Sequence, residues 1–116
     1  MADVTIYHNP SCSKSRETLE LIRGRGIEPN VIEYLKMPPD AKTLSRLLIQ
    51  LGIDAADLLR KKEDEFSELS LANKLEDRKE LILAMAAHPI LIERPIVVCA
   101  NRACLGRPPE QVLEIL

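Results

Sequence analysis

The chain has 116 residues, 46% of them hydrophobic and 29% charged, and its formal net charge at pH 7 is −2. This length and apolar content predict a single domain over residues 1–116 that buries its own core. The charge balance and the 3% aromatic content argue against nucleic acid or an anionic membrane surface as a partner. We expect no export signal before the first strand and no run of the roughly 18 to 20 apolar residues that a membrane span needs, so a cytoplasmic protein is predicted.

The first third of the chain predicts a β-α-β unit. Residues 4–7 form a strand that runs through 8–11 into Cys12, and a helix over 13–23 ends at two glycines. Residues 30–35 are rich in β-formers and predict a second strand. Such a unit implies a parallel pair of strands with a right-handed crossover.

The middle third is predicted to be helical. Asp40 caps an amphipathic helix whose leucines recur at 44, 47, 48 and 51 and which ends at Gly52. Asp54 caps a short helix that reaches Arg60, and a further helix over residues 77–87 is stopped by proline.

The last third returns to strands. Residues 95–99 form a β run, 100–103 a turn and 104–105 the start of the returning strand, and Pro108 and Pro109 open a final helix. This order predicts an α/β fold of thioredoxin-like (glutaredoxin-like) layout. Its mixed four-stranded sheet has helices on both faces and a helical insertion between the βαβ and ββα halves. In that layout a cis-proline precedes the third strand, so we expect a cis bond between Arg94 and Pro95.

Cys12 stands where the first predicted strand gives way to a helix. Free amide N–H groups and the positive end of the helix dipole stabilise an anion there, so the thiolate should be favoured over the thiol. The neighbours Ser11, Ser13 and Lys14 are polar, unlike those of a typical buried cysteine. We therefore predict that Cys12 is a nucleophile.

The other two cysteines have two open interpretations. If residues 100–103 form the turn, Cys99 and Cys104 lie opposite one another on the hairpin. They are then either a labile redox pair or two small apolar strand residues. An odd number of cysteines, with Cys12 far from the other two, favours a reducing compartment over a disulfide-stapled secreted scaffold.

Four short blocks follow one another along the chain: HNPSCSKSR over residues 8–16, LLRK over 58–61, ERPIV over 93–97 and GRPP over 106–109. In order and spacing they resemble the glutaredoxin-linked arsenate reductase family, and the resemblance covers essentially the whole chain. The chain departs from that family's established reductases at Ser13-Lys14, where those proteins carry Gly-Thr.

The resemblance implies that Cys12 attacks arsenate and that three arginines, Arg60, Arg94 and Arg107, hold the oxyanion. Arginine suits this task because its planar fork stays charged and binds oxygens bidentately. From the residues alone, each arginine is also consistent with a solvated surface charge. That reading is strongest for Arg60, whose basic run is followed by an acidic one.

Three more residues are expected to favour the thiolate of Cys12. By the resemblance, His8 helps to keep the cysteine ionised and the Ser15 hydroxyl hydrogen-bonds its sulfur. A protonated His8 at the strand end would act electrostatically, and the alternative is a histidine bonded to backbone. Arg16 lies four residues after Cys12, where it would flank the anion loop or pair with acidic surface groups.

The thiol that completes the reaction must come from outside the loop. The segment Cys12-Ser13-Lys14-Ser15 has no second cysteine to close an internal disulfide. The resemblance implies glutathione as co-substrate and glutaredoxin as partner, with no bound cofactor. No metal site is expected, because the two histidines are isolated and C-x4-C alone is a weak zinc signal.

Two other functions remain compatible with the residues. The same fold with a similar R-P-I segment occurs in Spx-like regulators, which bind RNA polymerase and typically carry C-x-x-C. A monothiol thioltransferase acting on glutathione mixed disulfides would keep Cys12 but give the arginines no oxyanion to hold.

Overall fold

A computed structural model of the protein describes residues 3–116. Met1 and Ala2, which the expectation about an export signal includes, lie outside the described residues. Contacts divide the chain into two units, residues 3–37 with Arg94–Leu116 and the insertion Pro38–Glu93. Between residues 3 and 116, no helix has the length and apolar character needed to cross a bilayer.

The first unit contains the predicted mixed four-stranded sheet, in the order β2-β1-β3-β4. Strand β1 is parallel to β2 and antiparallel to β3, which is antiparallel to β4. The strands are β1, Val4–His8; β2, Asn30–Glu33; β3, Ile96–Cys99; and β4, Arg102–Leu105.

Helix α1, Ser13–Gly24, packs its buried side against this sheet. The core contains Val4, Ile6, Ile22, Val97, Cys99 and Val112. Val112 comes from the C-terminal segment Pro109–Glu114, which is a 3-10 helix instead of the predicted α-helix. Its bonds span three residues, as from Ile115 N–H to the Val112 carbonyl at 3.2 Å, a geometry typical of short terminal pieces.

Strand β2 is two residues shorter than predicted. Its last residue is Glu33, and the backbone N–H groups of Lys36 and Met37 both donate to the Glu33 carbonyl at 2.9 Å. This turn uses the carbonyl that a longer strand would have offered to the sheet.

The β3–β4 hairpin corrects the predicted pairing of the cysteines. Its turn contains only residues 100 and 101, with Ala100 at φ 56°. Cys99 therefore lies opposite Arg102, and Cys104 lies opposite Val97. The prediction that the two cysteines face one another was wrong because it assumed a four-residue turn.

The second unit is helical, as predicted. Asp40 caps the first helix by accepting from Thr43 N–H at 2.8 Å, and Gly52 ends it at φ 69°. The next helix stops at Leu58, because Leu59 is extended and forms a β-bridge with Ile92. One α-helix and two 3-10 helices were not predicted. The helices are α2, Ala41–Leu51; α3, Ala55–Leu58; α4, Asp64–Glu68; a 3-10 helix, Leu71–Lys74; α5, Arg78–Ala87; and a 3-10 helix, Pro89–Leu91.

Candidate active site around Cys12

Cys12 is the N-cap residue of α1, as the sequence predicts. Its backbone is extended, at φ −100° and ψ 123°, its N–H donates to the Asn9 carbonyl at 3.0 Å, and its own carbonyl accepts from Arg16 N–H at 3.0 Å. The Asn9 side chain accepts from Ser11 N–H at 3.0 Å and so shapes the loop before the thiol. Cys12 is buried, with 9% of its surface exposed.

The surroundings of Cys12 favour the thiolate. Burial raises the pKa of the thiol, but the Ser15 N–H, the hydrogen bond and charge of Arg94, and the Lys14 N–H lower it by more, so the pKa lies below its ordinary value. Two of these donors are free amides in the first turn of α1, the groups that every α-helix leaves without an internal partner. The predicted direction is confirmed.

Arg94 and Arg107 both converge on the sulfur. Arg107 Nη2 lies 3.6 Å from Cys12 Sγ, and Arg107 Nε donates to the Arg94 carbonyl at 2.7 Å. The Arg94–Pro95 bond is cis, as predicted, and the Arg107–Pro108 bond is cis as well. Two guanidinium groups thus surround one thiolate in the first unit, and whether they bind an oxyanion stays a prediction.

His8 reaches Cys12 through Ser15. His8 Nδ1 lies 2.6 Å from Ser15 Oγ, which also accepts from Asn9 N–H at 3.0 Å, and Ser15 is completely buried. The Ser15 hydroxyl is therefore directed to the histidine and the loop backbone, and the Ser15 backbone N–H faces the thiolate. This differs from the expected hydroxyl contact to sulfur.

The surroundings of His8 favour the neutral form of its imidazole. Burial lowers its pKa, the charges of Arg23 and Arg16 lower it further, and Glu33 opposes them without reversing the direction. This direction of the pKa works against the protonated His8 that the sequence predicts. The 2.6 Å contact between His8 Nδ1 and the Ser15 hydroxyl lets His8 position Ser15 and the turn around it.

Arg16 holds the loop that precedes the thiol. Its Nη1 donates to the Pro10 carbonyl at 2.9 Å, and the side chain is exposed. This contact agrees with a flanking role, although the bond is made to backbone.

Arg60 belongs to the second unit and is held there by two carboxylates. Its Nε lies 3.0 Å from Glu63 Oε2 and its Nη1 lies 2.5 Å from Glu93 Oε1, with 19% of the arginine side chain exposed. Within this unit the arginine joins the end of the helical insertion to the segment before α4. Oxyanion binding by Arg60 stays a prediction.

We expect the change Arg60→Met to destabilise the protein, because it keeps the apolar stem but leaves Glu63 and Glu93 facing each other without a cation. The free energy of unfolding should fall by about 1 to 2 kcal/mol at pH 7. Urea denaturation at that pH measures this, with exposed Lys62→Met as the control. An unchanged stability together with a weaker affinity for an oxyanion would contradict the structural role.

Gly106 has a close contact that the sequence did not reveal. A Cβ atom at this position would overlap Thr18 Oγ1 and would lie 2.7 Å from Pro95 Cγ. Gly106 N–H donates to the Pro95 carbonyl at 3.0 Å, and Thr18 Oγ1 donates to the Lys14 carbonyl at 2.7 Å. The glycine therefore lets α1, the cis-proline loop and the residue before Arg107 meet. Gly106 is the first residue of the GRPP block. Its position directly before Arg107 was the one sequence feature that marked it as part of the site.

The sheet register separates the other two cysteines from Cys12. Cys99 pairs with Val4 at the start of β1, whereas Cys12 follows the end of that strand. Four residue steps along a strand span about 13 Å. Cys104 is one strand further away, on β4. Neither thiol is placed to close a disulfide with Cys12.

Cys104 behaves as a strand residue. Burial and, to a smaller extent, Glu114 raise the pKa of its thiol, and its Sγ donates to the Leu105 carbonyl at 3.3 Å. All three cysteines are free, and Cys99 is buried in the core. This favours the interpretation of Cys99 and Cys104 as small apolar residues.

The lowered pKa of Cys12 makes a pH-dependent reactivity measurable. We expect the rate of alkylation by iodoacetamide to reach half its maximum at a lower pH in the native protein than in the urea-unfolded chain. The reason is that the thiolate fraction is larger in the native state at every pH between the two pKa values. Mass spectrometry of the modified peptide assigns the reaction to Cys12, and equal midpoints in the two states would contradict the stabilised thiolate.

Comparisons with known proteins agree on one family. The ArsC family profile matches residues 7–115. Uncharacterized protein YfgD of Escherichia coli K12 is 55% identical over 114 residues, covering 97% of this chain and 96% of that protein. An arsenate reductase of Escherichia coli is 50% identical over 116 residues, covering 100% of this chain and 82% of that protein. The solved arsenate reductase of Vibrio cholerae superposes with a TM-score of 0.96 at 53% identity, covering 99% of this chain and 98% of that one. The fold is thus the thioredoxin-like one of these proteins, and the chain belongs to the ArsC family.

Proposed function

We propose that this protein is an arsenate reductase that uses Cys12 as its nucleophile and glutathione with glutaredoxin as its source of electrons. The observation that carries the proposal is a thiol at the N-cap of α1, with a lowered pKa and with Arg107 Nη2 3.6 Å from its sulfur. About half of its residues are identical to those of the Escherichia coli arsenate reductase over the full chain.

In this proposal, Arg94 and Arg107 neutralise the charge of an oxyanion that approaches the Cys12 thiolate. An oxyanion that approaches a thiolate is repelled unless its charge is neutralised, and guanidinium groups do this while holding oxygens in a fixed geometry. In the proposed step, the Cys12 thiolate attacks arsenic and an oxygen leaves as water after protonation, which forms an S–As bond. Arg94 and Arg107 hold the remaining oxygens during the displacement.

Electron transfer requires a second thiol. A glutathione thiolate attacks the Cys12 sulfur, the new S–S bond forms, and the electron pair of the S–As bond stays on arsenic, which leaves as arsenite. Glutaredoxin then removes the glutathionyl group from Cys12 by thiol–disulfide exchange. An external thiol is consistent with the distance of Cys99 and Cys104 from Cys12 in the sheet register.

The test is an NADPH-oxidation assay that couples turnover to glutathione reductase, with glutathione and glutaredoxin present and arsenate varied. Phosphate is the matched control, because it has the same shape and charge as arsenate but is not reduced by thiols. We expect saturable turnover with arsenate, none with phosphate, and inhibition of the arsenate reaction by phosphate. No arsenate-dependent turnover from a protein whose Cys12 is reactive would contradict the proposal.

A double variant, Arg94→Ala with Arg107→Ala, separates the reductase from a monothiol thioltransferase. Loss of two charge-assisted contacts should raise the KM for arsenate by about tenfold or more. If arsenate turnover is absent in the wild type and the double variant still exchanges glutathione mixed disulfides at the wild-type rate, a thioltransferase is the better description. The thioltransferase is kept as the second candidate because no other thiol lies beside Cys12.

A further inference from the structure

A groove of about 750 Å³ lies between α1 and the C-terminal 3-10 helix. Its apolar lining is formed by Leu21, Pro108, Pro109 and Leu113. The volume lies within the roughly 300 to 1,000 Å³ that small-molecule sites occupy. The groove is therefore large enough for a ligand of peptide size.

The rim of the groove carries both signs of charge. Lys14 and Arg25 are cationic, and Glu17, Glu20 and Glu110 are anionic. Within residues 3–116, no ion pair joins any of these five side chains to another residue. The three glutamates would repel a simple anion. A ligand with carboxylates and an ammonium group complements the rim, because its carboxylates match the two cations and its ammonium matches the glutamates.

One end of the groove adjoins the nucleophile. Lys14 is the second residue after Cys12, and its backbone N–H helps to lower the pKa of that thiol. Pro108 directly follows Arg107, whose Nη2 contacts the same sulfur. Two separate elements thus bring this end to Cys12. From residue 14 to residue 25 the helix rises about 16 Å, whereas an extended tripeptide spans about 10 Å, so such a ligand fits with its thiol at the Cys12 end.

We propose that this groove binds the reducing substrate as a short zwitterionic peptide thiol, with Lys14 holding one of its carboxylates and the glutamates of the rim facing its ammonium. The inference rests on the proposed function, in which a thiol supplies the electrons. It adds Lys14 as the residue that selects this thiol. Lys14 is the second residue after Cys12, and in this proposal its charge helps to select the thiol that reacts there.

The exchange between Cys12 and oxidised glutathione isolates this binding event from arsenate. The Cys12 thiolate attacks one sulfur of the disulfide, the S–S bond breaks, a Cys12–glutathione disulfide forms and a glutathione thiolate leaves. Cys12 is oxidised and one sulfur of oxidised glutathione is reduced to a thiolate. The disulfide itself is therefore the oxidant, and no other is required.

The experiment measures this rate by stopped flow for the wild type, Lys14→Gln and Lys14→Glu. Two disulfides serve as probes, oxidised glutathione and the uncharged 2-hydroxyethyl disulfide. We expect Lys14→Gln to slow the reaction with oxidised glutathione by about fivefold to tenfold, and Lys14→Glu by more, because a charge-assisted contact is lost and then reversed. The rate with 2-hydroxyethyl disulfide should not change, and Lys36→Gln, an exposed cation outside the groove, should match the wild type with both probes.

Equal slowing with both disulfides would overturn the proposal, because Lys14 would then act on the reactivity of Cys12. Unchanged rates with both would overturn it as well. If only the removal of glutathione from Cys12 by glutaredoxin is slowed, a protein docks on the groove instead of the peptide thiol. Discrimination between the two probes in a protein that does not turn over arsenate would support the groove and reject the proposed function.

Discussion

The change Cys12→Ser should abolish arsenate-dependent turnover, lowering the rate by roughly three orders of magnitude or more. A serine hydroxyl is not ionised near neutral pH and gains little from the donors that stabilise the thiolate at the start of α1. More importantly, an oxygen–arsenic ester gives the second thiol no sulfur to attack. In the proposed mechanism, the two electrons that reduce arsenic then have no route from the external thiol.

Binding of the oxyanion should survive in the same variant. Arg94 and Arg107 are unchanged, and a neutral hydroxyl repels an anion less than a thiolate does. Isothermal titration with arsenate, in the absence of any thiol, measures this and separates binding from chemistry. Cys104→Ser is the matched control, because Cys104 is a half-buried strand residue outside the site, and it should keep wild-type turnover. Turnover by a folded Cys12→Ser protein would reject Cys12 as the nucleophile.

The change Gly106→Ala should impair both stability and turnover. The new methyl group would overlap Thr18 Oγ1 and press on the Pro95 ring, and neither is the end of a flexible side chain. Thr18 is completely buried and hydrogen-bonded to the Lys14 carbonyl, so the backbone has to shift. We expect the free energy of unfolding to fall by about 1 to 3 kcal/mol.

The effect of Gly106→Ala on turnover follows from its neighbour. Arg107 moves with the displaced backbone, and a shift of about 1 Å in a positioning group costs up to roughly a hundredfold in rate. The KM for arsenate should rise and the pKa of Cys12 should return toward its ordinary value, two readouts that a purely structural defect leaves unchanged in the folded fraction.

A second glycine supplies the control for that experiment. Gly24, the last residue of α1, has no atom within 4 Å of the position of a Cβ. Gly24→Ala should leave the KM for arsenate and the pKa of Cys12 unchanged and should stabilise the protein slightly, by about 0.5 to 1 kcal/mol at most, because alanine is the better helix former. If both alanine variants behave alike, the contact between Gly106 and Thr18 has no special role. Combining Gly106→Ala with Thr18→Ala should recover part of the loss.

Most of the fold follows from local patterns in the sequence. The leucine spacing after Asp40 and the glycine at its end predict α2 to within a residue, because cap chemistry and amphipathic periodicity agree there. The turn after β3 was misjudged, since nothing local distinguishes a two-residue connection at Ala100 from a longer one. The register of the hairpin, and with it the separation of Cys99 from Cys104, depends on pairing across the sheet.

The position of Cys12 was predictable from the sequence, but the hydrogen bonds around it were not. The position of Cys12 at a strand-to-helix junction predicts its lowered pKa, because the helix start supplies the donors. The direction of the Ser15 hydroxyl was not predictable, since it depends on the positions of the His8 ring and the Asn9 N–H in the folded chain. The contact between Gly106 and Thr18 joins residues 88 positions apart in the chain, and no local signal encodes it.

Part of the stabilisation of the Cys12 thiolate comes from backbone groups at the start of α1, which a side-chain substitution does not remove. The amide groups of Lys14 and Ser15 belong to the backbone, and every residue except proline supplies them. Mutation at position 14 can therefore change which molecules approach the sulfur while the sulfur itself stays reactive. In the proposed scheme, a substitution at this one exposed position changes the choice of the second substrate without first producing an inactive enzyme.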